Sequence, residues 1–129
     1  MARTSTRILA LAAVAATALN ATWTTATPAQ AESLSVIASR DSFVQTVTGR
    51  EMRCFGIRLT VSPEGQISGR AFGYPVTGAW QWSEGYFCRD LFWGGDDLGY
   101  NCQLVQIDGA RVRFTSYQGT GEFADLTLQ

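Results

Sequence analysis

The chain of 129 residues contains no histidine and no lysine; all ten basic residues are arginine. Without histidine there is no Ser-His-Asp or Cys-His nucleophile pair and no ordinary catalytic zinc site. Without lysine there is no Schiff base and no phosphate-binding P-loop. No Gly-x-Gly-x-x-Gly run lies between a strand and a helix, so a dinucleotide fold has no sequence support. A basic excess is also missing. Past residue 31, eight arginines face eleven acidic residues, a net charge of −3. Binding to nucleic acid, which needs a basic field to meet phosphates, is disfavoured. No cofactor and no metal site is expected from these residue types.

What is present begins with a leader. Arg3 and Arg7 precede an apolar run from Ile8 to Leu19, broken only by Thr17, and Ala29-Gln30-Ala31 supplies small residues for cleavage. The run is too short for a membrane-spanning helix, which needs roughly 20 residues. No cysteine lies near the expected cut, so no membrane anchor is expected after cleavage. Residues 1–31 read as a secretory signal peptide and 32–129 as one β-domain, periplasmic or secreted and expected to be monomeric. Such a domain is small enough to benefit from a covalent staple.

Ser39-Arg40-Asp41 predicts a helix start, with Phe43, Val44 and Val47 as its apolar stripe and Gly49 its stop. From Gly56 the apolar period becomes two. Ile57, Leu59 and Val61 alternate with polar residues, as do Ile67, Gly69 and Ala71, and then Val76, Gly78, Trp80 and Trp82. Tyr86 to Trp93, Tyr100 to Ile107, the strand after Asp108-Gly109, and Ala124 to Leu128 complete seven strands; Leu34 to Ile37 offers an eighth. Short turns between successive strands predict an all-β antiparallel up-and-down barrel of seven or eight strands with a short N-terminal helix. A β-sandwich is the alternative.

If the strands around Gly94 to Gly99 pair about Gly95, Cys88 falls opposite Cys102, and Asp90 opposite Tyr100. A Cys88–Cys102 bridge is then expected in an oxidising compartment, with Cys54 the free thiol. The block from Trp80 to Trp93 is dense in aromatic residues. It reads as core, or as the lining of a ligand-binding mouth containing Trp80, Trp82 and Tyr86. Alternation puts Tyr86, Cys88, Asp90 and Phe92 on one face, expected to point inward. Asp90 would then need a donor such as Tyr100, or would contact a ligand. Asp96-Asp97 reads most simply as a turn. Arg111 and Arg113 share one strand face, expected to be solvated.

The runs Gly85-Tyr86-Phe87-Cys88-Arg89-Asp90 and Trp93-Gly94-Gly95-Asp96-Asp97-Leu98-Gly99-Tyr100-Asn101-Cys102-Gln103 resemble a family of small exported alphaproteobacterial proteins. So do Gly69-Arg70-Ala71-Phe72-Gly73, Val76-Thr77-Gly78-Ala79-Trp80 and Arg113-Phe114-Thr115-Ser116. Members often carry the label dihydrodipicolinate reductase. The resemblance implies an exported β-domain; no position matches that enzyme's catalytic motif, so no catalytic residue is carried over.

The residues favour a non-catalytic module binding a small molecule or another envelope protein, through Trp80, Trp82, Tyr86, Asp90 and Tyr100. A hydrolase using carboxylates alone, Asp90 with Asp96 or Asp97, is the alternative. The reductase reading comes from the family label only.

Overall fold

The computed structural model describes residues 16–23 and 33–129. The chain divides into two units, Met1–Gln30 and Ala31–Gln129, and the second holds every helix and strand described. The expected leader and its cleavage site lie largely outside the described residues. No described helix is long and apolar enough to cross a membrane.

Nine strands and two short helical segments follow in chain order. They are β1 (Ser35–Val36), α1 (Arg40–Thr46), β2 (Glu51–Cys54), β3 (Ile57–Val61), β4 (Gln66–Ala71) and β5 (Tyr74–Ser83). After them come β6 (Tyr86–Trp93), β7 (Asp96–Asp108), β8 (Arg111–Thr115), α2 (Ser116–Gly119) and β9 (Phe123–Leu128). From β2 to β9 each strand pairs antiparallel with the next, and β2 pairs with β9 to close the ring. The fold is a closed eight-stranded up-and-down barrel, which leaves no long unpaired edge. Strand β1 is additional. It pairs with Gln106 and Ile107 of β7, beyond the residues that pair with β6.

The eighth barrel strand is therefore Glu51–Cys54, while Leu34 to Ile37 contributes the outer strand. Its sequence signal is weak but readable. Met52 is buried between Glu51 and Arg53, and Phe55-Gly56 makes a two-residue turn with Gly56 at φ +73°. The Asp108-Gly109 hairpin is present one residue further on: Asp108 pairs with Arg111, and Gly109, at φ +59°, opens the turn.

Topology gives the barrel two unlike ends. The turns after β3, β5 and β7 share one end with α1. The turns after β2, β4 and β6, and the segment between β8 and β9, share the other. Helix α1 closes the first end. Ser39 caps it by accepting a hydrogen bond from the Ser42 amide at 3.2 Å. Seven residues would not hold a helix in water, so packing must hold it. Phe43 and Val47 are fully buried. The Phe43 ring lies 5.2 Å from Trp80, 5.3 Å from Trp82 and 5.1 Å from Phe87. Trp80 donates its Nε1–H to the Ser62 carbonyl at 2.8 Å, and the Arg40 guanidinium sits 5.5 Å over its ring.

The inner wall of β6 differs from the sequence expectation. Trp82 pairs with Phe87, Trp80 with Arg89 and Gly78 with Leu91, so Phe87, Arg89 and Leu91 share the inward face. Tyr86, Cys88, Asp90 and Phe92 take the outer face, and Asp90 is exposed. The cause is the two-residue turn Glu84-Gly85, which sets Ser83 against Tyr86 and fixes the face of every residue after it. Strand β6 is apolar on both faces, so hydrophobicity alone does not choose between them.

Candidate functional site

The open half of the barrel contains a cavity of about 310 Å³, at the lower end of the range for small-ligand pockets. Its walls are mainly apolar: Met52, Leu59, Ile67, Leu91, Phe114 and Leu126 are among them. Four polar side chains, Arg89, Gln103, Ser116 and Glu122, also line it. Two glycines thin the wall nearby. A Cβ on Gly69 would meet the Arg58 carbonyl oxygen at 2.0 Å, and one on Gly78 the Asp90 carbonyl oxygen at 2.3 Å. Neither strand could pass its neighbour so closely with a larger residue.

Arg89 carries the cavity's positive charge. Its Nη1 donates to the Gly99 carbonyl at 2.8 Å, across an irregularity in the β6–β7 pairing. Burial pulls its guanidinium below the ordinary value, and the neighbouring Asp90 charge opposes that shift. An arginine stays protonated in proteins, so the cavity keeps a fixed cation. Gln103 Nε2 donates to Ser116 Oγ at 3.3 Å, leaving the Gln103 amide oxygen and the Ser116 proton available to a ligand. Glu122 is exposed.

The connection between β8 and β9, which begins with α2 and runs to Glu122, places Ser116 and Glu122 at the mouth. Tyr117 and Gln118 take left-handed φ values of 52° and 55°, a conformation costing each on the order of 1 kcal/mol without glycine. Hydrogen bonds hold it. Asn101 Oδ1 accepts from the Tyr117 amide, the Glu122 carbonyl from the Ser116 amide, and the Ser116 carbonyl from the Gly121 amide, each at 2.9 Å.

The residues expected to bind ligand lie elsewhere. Trp80 and Trp82 pack around Phe43 in the closed end and do not line the cavity. Tyr86 is half-buried on the outer face beside the same end. Asp90 does stand opposite Tyr100, as the register predicts, but both are exposed outside the barrel. The Tyr100 hydroxyl meets Gln81 Nε2 at 3.4 Å and Cys102 Sγ at 3.7 Å, with no hydrogen bond to Asp90 among the described residues. Asp97 Oδ1 accepts from the Gly99 amide at 2.8 Å, in the role of a turn residue. Neither Asp90, Asp96 nor Asp97 lines the cavity.

Cys88 and Cys102 are bridged, directly opposite each other in β6 and β7, and Cys54 is free and exposed. Arg111 and Arg113 share the outer face, but that face is not simply solvated: both pair with Asp125, and the Arg113 side chain is only 14% exposed, against the Phe123 ring.

Sequence reasoning missed Arg89, Gln103, Ser116 and Glu122. The first two were within reach: Trp82 fixes Phe87 inward through the Glu84-Gly85 turn, and Arg89 and Gln103 follow from alternation and register. Ser116 and Glu122 depend on the irregular backbone between β8 and β9, which no periodicity announces. No known protein family, no curated protein and no solved structure matches this chain.

Proposed function

We propose that this protein is an exported, non-catalytic binding module whose barrel takes a small apolar molecule bearing an acid group. The observation that carries the reading is Arg89, a fixed cation in the wall of an otherwise mainly apolar cavity of about 310 Å³. Apolar walls supply affinity through burial, at about 25 cal/mol per Å². Arg89 supplies selectivity, because a carboxylate or phosphate accepts charge-assisted hydrogen bonds from a guanidinium. Gln103 and Ser116 offer one further acceptor and one donor. Glu122, at the same cavity, disfavours a second negative group on the ligand.

Export is supported by the leader-like residues 1–31, by the resemblance to exported β-domains, and by a disulfide, which persists in oxidising compartments. A periplasmic or secreted location fits all three.

The experiment is a thermal-shift and calorimetric screen of medium-chain and aromatic carboxylic acids against their alcohols and amines, with NADPH included. The expected result is stabilisation by acids at least tenfold more potent than by the matching amines, and loss of that preference in Arg89→Met. Stabilisation by NADPH and not by acids would favour the reductase reading instead. Equal response to acids and amines, or an acid preference surviving in Arg89→Met, would overturn the assignment.

A further inference from the structure

Arg53 pairs with Arg58 across β2 and β3, and Arg58 pairs with Arg70 across β3 and β4. Three arginines thus stand side by side on the outer face of adjacent strands. All three are exposed. Like charges directly opposite in a sheet are destabilising, and this chain has an acidic excess from which to place a partner. Only Arg53 has one, Glu51 on its own strand. Arg70 donates to the Gly73 carbonyl at 2.9 Å, and Arg58 has no acidic partner among the described residues. The row is not a device for stability.

Above the row lies an aromatic edge. Phe55 is 91% exposed, Phe72 57% and Tyr74 61%. Phe55 follows Arg53 by two residues, and Phe72 follows Arg70 by two. Phe55 and Phe72 sit in the two-residue turns that follow β2 and β4, past the strand residues that carry the arginines, and the Arg70 guanidinium itself reaches the second of these turns at Gly73. The edge is braced from behind: the Trp93 ring is 6.3 Å from Phe72 and 6.0 Å from Tyr74, and its Nε1–H is donated to the Ala71 carbonyl at 2.8 Å.

We propose that this corner of the open end, formed by β2 to β5, docks on an anionic lipid surface. Exposed rings at the end of the barrel, with arginines on the strands that lead to them, supply the apolar and cationic groups that an anionic membrane interface takes. An amphipathic surface buries its apolar side about 5–10 Å deep, with arginine at the phosphate level. Phe55 and Phe72 lie in separate two-residue turns and Tyr74 begins β5, a small set of exposed rings, whereas a stable protein partner needs a contiguous patch of about 800 Å². Asp96 and Asp97, at the turn after β6, adjoin the Tyr74 side of this corner, so the barrel meets the membrane tilted toward β2 to β4. The docking surface is separate from the cavity and does not depend on what the cavity holds.

The test is co-sedimentation with vesicles of phosphatidylcholine alone and of phosphatidylcholine with 30% phosphatidylglycerol. Wild type and variants are compared in the same processed form, with the N-terminus established by intact mass. Binding to the anionic vesicles should exceed binding to neutral ones at least tenfold and fall steeply between 50 and 500 mM salt. Arg58→Gln should weaken anionic binding about fivefold, since each basic residue near such a surface contributes a similar factor. Phe55→Ser should weaken it independently, and both exposed sites should leave the melting midpoint unchanged or, for Arg58→Gln, slightly raised. Equal partitioning onto neutral vesicles, no binding at low salt, or undiminished binding by both variants would overturn the proposal. Capture of an acidic protein by this face without any vesicle binding would overturn it as well.

Discussion

Arg113 and Asp125 face each other across β8 and β9, the guanidinium donating from Nε to Oδ1 at 2.7 Å and from Nη2 to Oδ2 at 2.9 Å. The Arg113 guanidinium also lies 3.9 Å over the Phe123 ring, and Arg111 reaches the same carboxylate at 3.8 Å. One carboxylate therefore organises the outer face where the last strand joins the barrel.

The Arg113 hydrogen bonds, ahead of the arginine charges, hold the Asp125 carboxyl below the usual carboxylate range. Its folded pKa is lower than its unfolded one, so its contribution is fully present above the unfolded value of about 3.9. That contribution is lost as pH falls through the folded pKa. Asp125→Asn should lower stability by roughly 1 kcal/mol at pH 7 and low salt, or about 4–8 °C in melting midpoint. The gap from wild type should close as pH drops below about 4. Melting curves of both proteins from pH 7 to pH 2 check this; a gap independent of pH would mean that the ion pair contributes nothing.

The bridge between Cys88 and Cys102 closes a short loop within one hairpin. On the chain-entropy model a loop of about 15 residues gives roughly 3 kcal/mol. Reduction should lower the melting midpoint by on the order of 10–20 °C for a domain this size. Alkylation of unreduced protein should block one thiol, Cys54, and peptide mapping should find no other modified cysteine.

Tyr100→Phe is expected to leave stability within about 0.5 kcal/mol of wild type. The residue is exposed, and among the described residues its hydroxyl meets only Gln81 and the Cys102 sulfur. Had Asp90 and Tyr100 pointed inward, the same change would have stripped a buried carboxylate of a donor and cost ~1.5–3 kcal/mol. A denaturant titration separates the two outcomes.

Phe43→Ala should cost about 3–5 kcal/mol, because it removes the ring that fills the space between Trp80, Trp82 and Phe87. Helix α1 has little stability of its own, so its amides should lose hydrogen-exchange protection before those of the strands. Loss of protection spread evenly over the barrel would show that α1 is integral to one cooperative unit.

The barrel was legible because its causes are local. Alternation of period two, turns such as Glu84-Gly85, and export-compatible cysteines specify an antiparallel meander, and pairing about Gly95 places Cys88 against Cys102. Helix α1 was legible for the same reason, through the Ser39 cap and the spacing of Phe43 and Val47. Strand β2 was harder to see, since four residues with one buried side chain carry almost no period. Which face of β6 looks inward was decided by tertiary structure. Tyr86, Phe92 and Cys88 make the outer face as apolar as Phe87 and Leu91 make the inner one, and only continuity with β5 through the turn breaks the tie. Closure then did what no local pattern specifies. It turned Arg89 and Gln103 into the walls of a cavity, brought Ser116 and Glu122 to its mouth, and set Arg53, Arg58 and Arg70 from three strands into one row. Those groups come from distant parts of the chain, and long-range pairing alone gives them a common position.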